Sequence, residues 1–170
     1  WEDIGTIKAF FNANLGLLAE DPEFDLFSLD HPIYTSPRYL PPAHIISSAI
    51  KSCFIPEGVK IYNSKIQNSI IGLRSIVKNA VLENVIMLGA DYFETEMNLS
   101  DNARKKNPDI GIGAGSVVRN AIIDKNARIG KNCRIENKKM LTETDGEGYY
   151  LRDGLVIVEK NGIIPDNTVI

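Results

Sequence analysis

With 170 residues, 44% of them hydrophobic, and a formal net charge of −3, the chain holds one sizeable domain or two very small ones. The mild charge argues against bulk electrostatic binding of nucleic acid. The two cysteines, Cys53 and Cys133, read as small buried hydrophobes; no Cys/His cluster has zinc spacing, and no apolar run is long enough to span a bilayer.

The chain opens on Trp1 with no initiator Met and no basic leader, so the C-terminal part of a longer polypeptide is expected. Residues 6–18 read as a helix. Thr6 is the N-cap candidate, and Ile7, Phe10, Phe11, Leu15 and Leu18 share one face at helical spacing. An apolar face this rich needs cover, from the rest of the chain or from an upstream domain. Residues 21–44 read as an extended linker with a short strand at 33–35, because Pro22, Pro32, Pro37, Pro41 and Pro42 interrupt any helix.

From residue 45 onward the signal is a period. Ile55, Ile61, Ile66, Ile71, Val77, Leu82 and Met87 recur every five or six residues, as do Ile112, Val118, Ile123, Ile129 and Ile135. That spacing is too long for a helix face and too long for one alternating strand. It fits a mostly-β solenoid of hexapeptide rungs, three rungs making a triangular coil of about eighteen residues. The solenoid is expected over 45–170, as four or five coils with excursions at 89–109 and 136–152. Gly58, Gly72, Gly113 and Gly130 are expected at turns with positive φ, and the small Ser75, Ser116 and Ala127 in tight corners. Gly111-Ile112-Gly113-Ala114-Gly115-Ser116 lacks the third glycine and the following helix of a phosphate-binding loop, so its glycines read as turn residues. Arg104, Lys105, Lys106, Arg128, Lys131 and Arg134 read as solvated edges, and His31 and His44 as surface or linker residues without an acid-base partner.

Several segments in order resemble one family. They are Trp1-Glu2-Asp3-Ile4-Gly5-Thr6, Tyr34-Thr35-Ser36-Pro37-Arg38-Tyr39-Leu40-Pro41-Pro42, Gly89-Ala90-Asp91-Tyr92, Ile122-Ile123-Asp124-Lys125-Asn126-Ala127-Arg128-Ile129-Gly130 and the tail from Ile164 to Ile170. Together they resemble the C-terminal part of ADP-glucose pyrophosphorylases (glucose-1-phosphate adenylyltransferases) of the cyanobacterial and plant type. The resemblance implies a left-handed parallel β-helix, with residues 1–20 as the last helix of a Rossmann-like nucleotidyltransferase domain. It implies an enzyme that makes ADP-glucose and pyrophosphate from ATP and glucose 1-phosphate, with Mg2+, in glycogen or starch synthesis. The glycine-rich nucleotide loop of the family is absent here, so this chain alone is expected to be inactive. A homo- or heterotetramer is implied, cytoplasmic or, in a plant, plastidic.

The resemblance also implies site residues. By pattern alone Asp3 reads as a cap of the following helix; the resemblance instead matches it to an aspartate that helps hold the catalytic magnesium. Lys125 and Lys160 match lysines of an effector site for 3-phosphoglycerate and phosphate. Asp124 adjoins Lys125, and Arg38 and Ser36 lie where the family contacts a bound anion. Ser36 stands where many relatives have Gln, and Glu159 where an apolar residue is common. Anion binding is expected to draw Lys125, Lys160 and Arg38 together. Two other classes compete: a hexapeptide-repeat acyltransferase, which needs a histidine base on the coil, and a non-catalytic β-helix assembly module, which binds no anion.

Overall fold

In the computed structural model, which describes residues 3–170, the aliphatic period becomes a parallel β-helix. Helix α1 (Ile7–Gly16) is capped by Thr6, whose hydroxyl accepts the Ala9 N–H at 3.1 Å. The chain then runs to residue 43 without helix or strand. The strand expected at 33–35 does not form: Pro32 and Pro37 flank an exposed segment that no described strand pairs with.

The first coils are built from β1 (His44–Ile46), β2 (Ala49–Phe54), β3 (Lys60–Tyr62), β4 (Lys65–Ile71), β5 (Ile76–Lys78) and β6 (Val81–Met87). After α2 (Glu96–Lys105), the coil resumes as β7 (Gly111–Ile112), β8 (Val117–Ile123), β9 (Arg128–Ile129) and β10 (Arg134–Ile135). It ends with β11 (Thr144–Gly146), β12 (Tyr149–Arg152), β13 (Leu155–Val158) and β14 (Ile163–Ile164). One parallel sheet runs β1-β3-β5-β7-β9-β14; a second runs β2-β4-β6-β8-β13, with β10 also on β8.

Register gives the coil length directly. Ile45, Ile61 and Val77 share one ladder, and Ile50, Ile66 and Leu82 the next, so a coil here spans sixteen residues rather than eighteen. The coil is shorter because two of its three corners turn on a single left-handed residue. Ser47, Asn63 and Asn79 form one such corner, and Ser52, Asn68, Asn84 and Asn120 the other, all with φ between 46° and 53°. Asparagine tolerates this region better than other residues with a Cβ. Each long strand β2, β4, β6 and β8 bends there and so lines two faces of the triangle.

The expected glycine role needs correction. Of the four turn candidates only Gly58 has positive φ (73°). Gly72 is required by close approach instead, since an added Cβ would lie 2.4 Å from the Leu88 carbonyl carbon in the next coil.

The predicted aliphatics from Ile61 to Ile135 fill the interior and are at most 4% exposed. Each contributes about 1.5–3 kcal/mol on burial before entropy is charged. Ser75, Ser116 and Ala127 are buried in the corners, and both cysteines are free, Cys133 buried and Cys53 half-buried. Burial pushes both thiols above their ordinary value. Helix α1 covers an outward aliphatic stripe on one face, where Phe11 is buried with Ile86, Ile122 and Leu155, and Phe10, Leu15 and Ile157 pack alongside. Its apolar face is thus covered by the solenoid of the same chain at Phe10, Phe11 and Leu15, while Ile7 stays exposed.

The first excursion is tied down by a buried ion pair. Glu94, 4% exposed at its side chain, meets Arg128 at 2.7 Å and accepts hydrogen bonds from Asn102 Nδ2 (2.7 Å) and the Ile110 N–H (2.7 Å). Arg128 also donates to the Pro108 carbonyl (2.9 Å). Arg128 is therefore not the solvated edge its sequence position suggested; a carboxylate from the excursion lies over it. Burial alone would raise the Glu94 carboxyl, but these hydrogen bonds and the guanidinium charge hold it below its usual range. The second excursion folds as an antiparallel pair, β11 with β12, laid on β13 before the chain rejoins the coil.

Candidate functional site

The third corner of the triangle carries different chemistry. Its backbone ladder is continuous: the Ala90 N–H donates to the Leu73 carbonyl (2.8 Å), the Asn126 N–H to Gly89 (3.1 Å), and the Asn161 N–H to Lys125 (2.9 Å). Lys160 therefore stands one coil beyond Lys125, at a strand spacing of about 4.8 Å. Asn126 and Asn161, each just after its lysine, take left-handed φ of 61° and 60° and turn the chain. Their side chains join at 3.2 Å, so the two lysines project from neighbouring turns of one rigid corner.

Asp91, at the start of the first excursion, lies between them. Its Oδ1 is 3.2 Å from Lys125 Nζ and its Oδ2 3.4 Å from Lys160 Nζ. Buried Asn126 holds Asp91 from behind, donating to Oδ2 at 3.1 Å and accepting the Asp91 N–H at 2.8 Å. The Asn126 amide first, and then the Lys125 ammonium, keep the Asp91 carboxyl below its usual range. Both lysines remain about half exposed, at 48% and 54%.

The other nearby acids are engaged elsewhere. Asp124 Oδ1 accepts the backbone N–H of Lys125 at 2.6 Å. Glu159 accepts the Tyr150 hydroxyl at 2.5 Å, which pushes that phenol above its ordinary value. The corner thus holds two ammonium groups against one directly paired carboxylate. Arg74, also left-handed on this corner, donates to the Ala90 carbonyl at 3.2 Å.

The structure brings Lys125, Lys160 and Asp124 together but leaves Arg38 and Ser36 exposed on the linker. The Pro41 carbonyl that follows Arg38 accepts the Gly58 N–H on the first coil, four ladder steps below Lys125, on the order of 19 Å. Asp3 does not cap α1. Its Oδ1 accepts the Gly5 N–H at 3.0 Å, and the described residues hold no group of three or more His, Cys, Asp or Glu suited to a metal. His44 opens β1 and meets the Tyr62 ring edge-on at 5.8 Å rather than a carboxylate, which leaves an acyltransferase base unsupported. A concavity of about 490 Å3 lies between the first excursion and the β3–β5 face. Its carboxylates Glu94, Asp109 and Asp166 already accept hydrogen bonds from Asn102, Asn102 and the Lys131 N–H respectively.

Sequence reasoning missed Asp91 and the two turn asparagines. A signal existed, since Lys125-Asn126 and Lys160-Asn161 repeat the same dipeptide one coil apart. Asp91 stood in a segment that carried the resemblance, but it follows the point where the period breaks, so no coil spacing tied it to the lysines.

Comparison with known proteins agrees with the fold. The model of the GLGC left-handed parallel β-helix domain matches residues 38–169. The glucose-1-phosphate adenylyltransferase small subunit, chloroplastic/amyloplastic, of Triticum aestivum is 44% identical over 174 residues, covering 100% of this chain and 37% of that protein. The chain therefore spans little more than a third of the length of this relative.

Proposed function

Because the chain belongs to the family of the GLGC left-handed parallel β-helix domain, we propose that it is the regulatory and oligomerising part of a glucose-1-phosphate adenylyltransferase. The reaction would join ATP and glucose 1-phosphate into ADP-glucose and pyrophosphate, for glycogen or starch synthesis. Its chemistry would belong to a nucleotidyltransferase domain outside these residues. The observation that carries the regulatory reading is the Lys125–Lys160 pair, two half-exposed ammonium groups one coil apart sharing a single carboxylate.

Lysine suits a phosphate-bearing effector such as 3-phosphoglycerate or inorganic phosphate, because a compact ammonium on a flexible stem can follow an oxygen. Rigid turns at Asn126 and Asn161 fix where the two stems start. An anion there gains two charge-assisted contacts at once, and coupling of this kind to a distant catalytic domain is typically about 1–3 kcal/mol. Arg38, Ser36 and Asp124 enter this reading as further contacts; Arg38 and Ser36 reach the anion only if the linker closes over the corner. The solenoid would also contribute contacts to a homo- or heterotetramer. Magnesium would be a cofactor of the whole enzyme. Asp3 alone does not make a magnesium site, since that cation is shared between carboxylates, phosphates and water. The described helices include none long and apolar enough to cross a membrane. The reading places the protein in the cytoplasm, or in a plastid if its source is a plant.

The test is kinetic. In the whole polypeptide, Lys125→Ala and Lys160→Ala should abolish the response to 3-phosphoglycerate and phosphate while basal ADP-glucose synthesis persists. An unchanged response would remove these lysines from the effector site.

A further inference from the structure

The anion seat already contains an anion. Asp91 presents two oxygens on one carbon to the two ammonium groups, as a phosphate monoester would present two oxygens on one phosphorus. Of the three acids around the lysines, Asp91 alone pairs with both Nζ atoms. Asp124 is turned to backbone, and Glu159 to Tyr150. Asp91 cannot swing freely out of the way, because Asn126 grips both its carboxylate and its backbone N–H.

We propose that Asp91 is a resident competitor that sets the affinity and charge requirement of this site. A ligand binds by taking the Lys125 and Lys160 contacts from the Asp91 carboxylate, which stays beside it as a like charge. Weak or singly charged anions lose that exchange. A dianion with two oxygens on one centre wins it, because each lysine trades one carboxylate oxygen for a more strongly charged one. The inference rests on the effector reading above and adds a residue that the reading does not need.

The experiment measures inorganic phosphate binding to the whole polypeptide by calorimetry, for wild type, Asp91→Asn, Asp91→Ala and the Lys125→Ala/Lys160→Ala double variant. Asp91→Asn keeps a group of the same shape beside Asn126 while removing the charge, and Asp91→Ala removes both. The expected result is tighter phosphate binding in both Asp91 variants, by about fivefold or more, with this component missing from the double lysine variant. A merely structural role predicts the opposite sign, since loosening the corner weakens binding. If both Asp91 variants bind phosphate equally well or more weakly while the double lysine variant loses it, the competitor role is wrong and the effector site stands. If the double lysine variant binds phosphate like wild type, the effector site itself fails, and the competitor role with it.

Discussion

Two corners of the same triangle turn on left-handed residues and yet do opposite things with their polar groups. At the Ser52–Asn68–Asn84–Asn120 corner the side chains satisfy one another: Asn68 donates to Asn84 at 2.7 Å and Asn84 to Asn120 at 3.0 Å. The asparagine amides of that ladder are neutral and are joined to one another from coil to coil. At the Lys125–Lys160 corner the asparagines again stack at 3.2 Å, but the two cations before them share one carboxylate, whereas Arg119, before Asn120, is met by both Glu83 and Glu136. Both corners hold left-handed residues, but the lysine corner turns over two residues between strands and the asparagine corner bends within one strand, and only the lysine corner leaves cations in excess of their carboxylates. A solenoid can spend its corners on holding coils in register or on presenting charge.

The largest effect should come from Glu94, which anchors the excursion from which Asp91 projects. Glu94→Gln leaves Arg128, 15% exposed, without its anion and should cost about 3 kcal/mol in urea unfolding of the whole polypeptide. The pH dependence follows from the sign of the shift. The carboxyl lies lower in the folded chain than its ordinary 4.5, so its stabilisation is complete above that value and is lost as pH falls through the lower folded one. Wild type should lose its advantage over Glu94→Gln only below about pH 4.5; an advantage lost already near neutrality would contradict the pair's role.

Asn84→Ala should come next, at about 2 kcal/mol, because it removes two side-chain hydrogen bonds and puts a residue with Cβ at φ 53°. Asn84→Gly should recover about 1 kcal/mol by relieving the backbone alone. Equal losses for the two variants would place the whole effect in the hydrogen bonds. The smallest effect belongs to Lys125→Ala, which should leave the urea midpoint unchanged within error, since an exposed pair contributes little to stability. A large loss there would make the lysine structural and erase the contrast between the corners.

The period of aliphatics carried most of the fold, because inward packing leaves one residue type every five or six positions and tolerates little else. The coil length was misjudged by two residues, since five-residue rungs turned by one asparagine look almost like hexapeptides. The same asparagines were legible in retrospect: Asn63, Asn68, Asn79, Asn84 and Asn120 each fall two places after an inward aliphatic. Lys125 and Lys160 were named through a resemblance rather than from spacing, and the coil register puts them side by side. Asp91 and the Glu94–Arg128 pair were out of reach, because each joins an aperiodic excursion to a coil 34 or more positions away, and such contacts leave no local pattern.

The most direct measurement is the thermal midpoint of the whole polypeptide against phosphate concentration, for wild type, Asn84→Ala and Lys125→Ala/Lys160→Ala. A ligand at a hundred times its Kd stabilises by about 2.7 kcal/mol. If the lysine corner serves ligand and the asparagine corner serves the coil, phosphate raises the midpoints of wild type and Asn84→Ala by the same amount and raises that of the double lysine variant less. An equal rise in all three proteins would contradict the assignment of anion binding to Lys125 and Lys160.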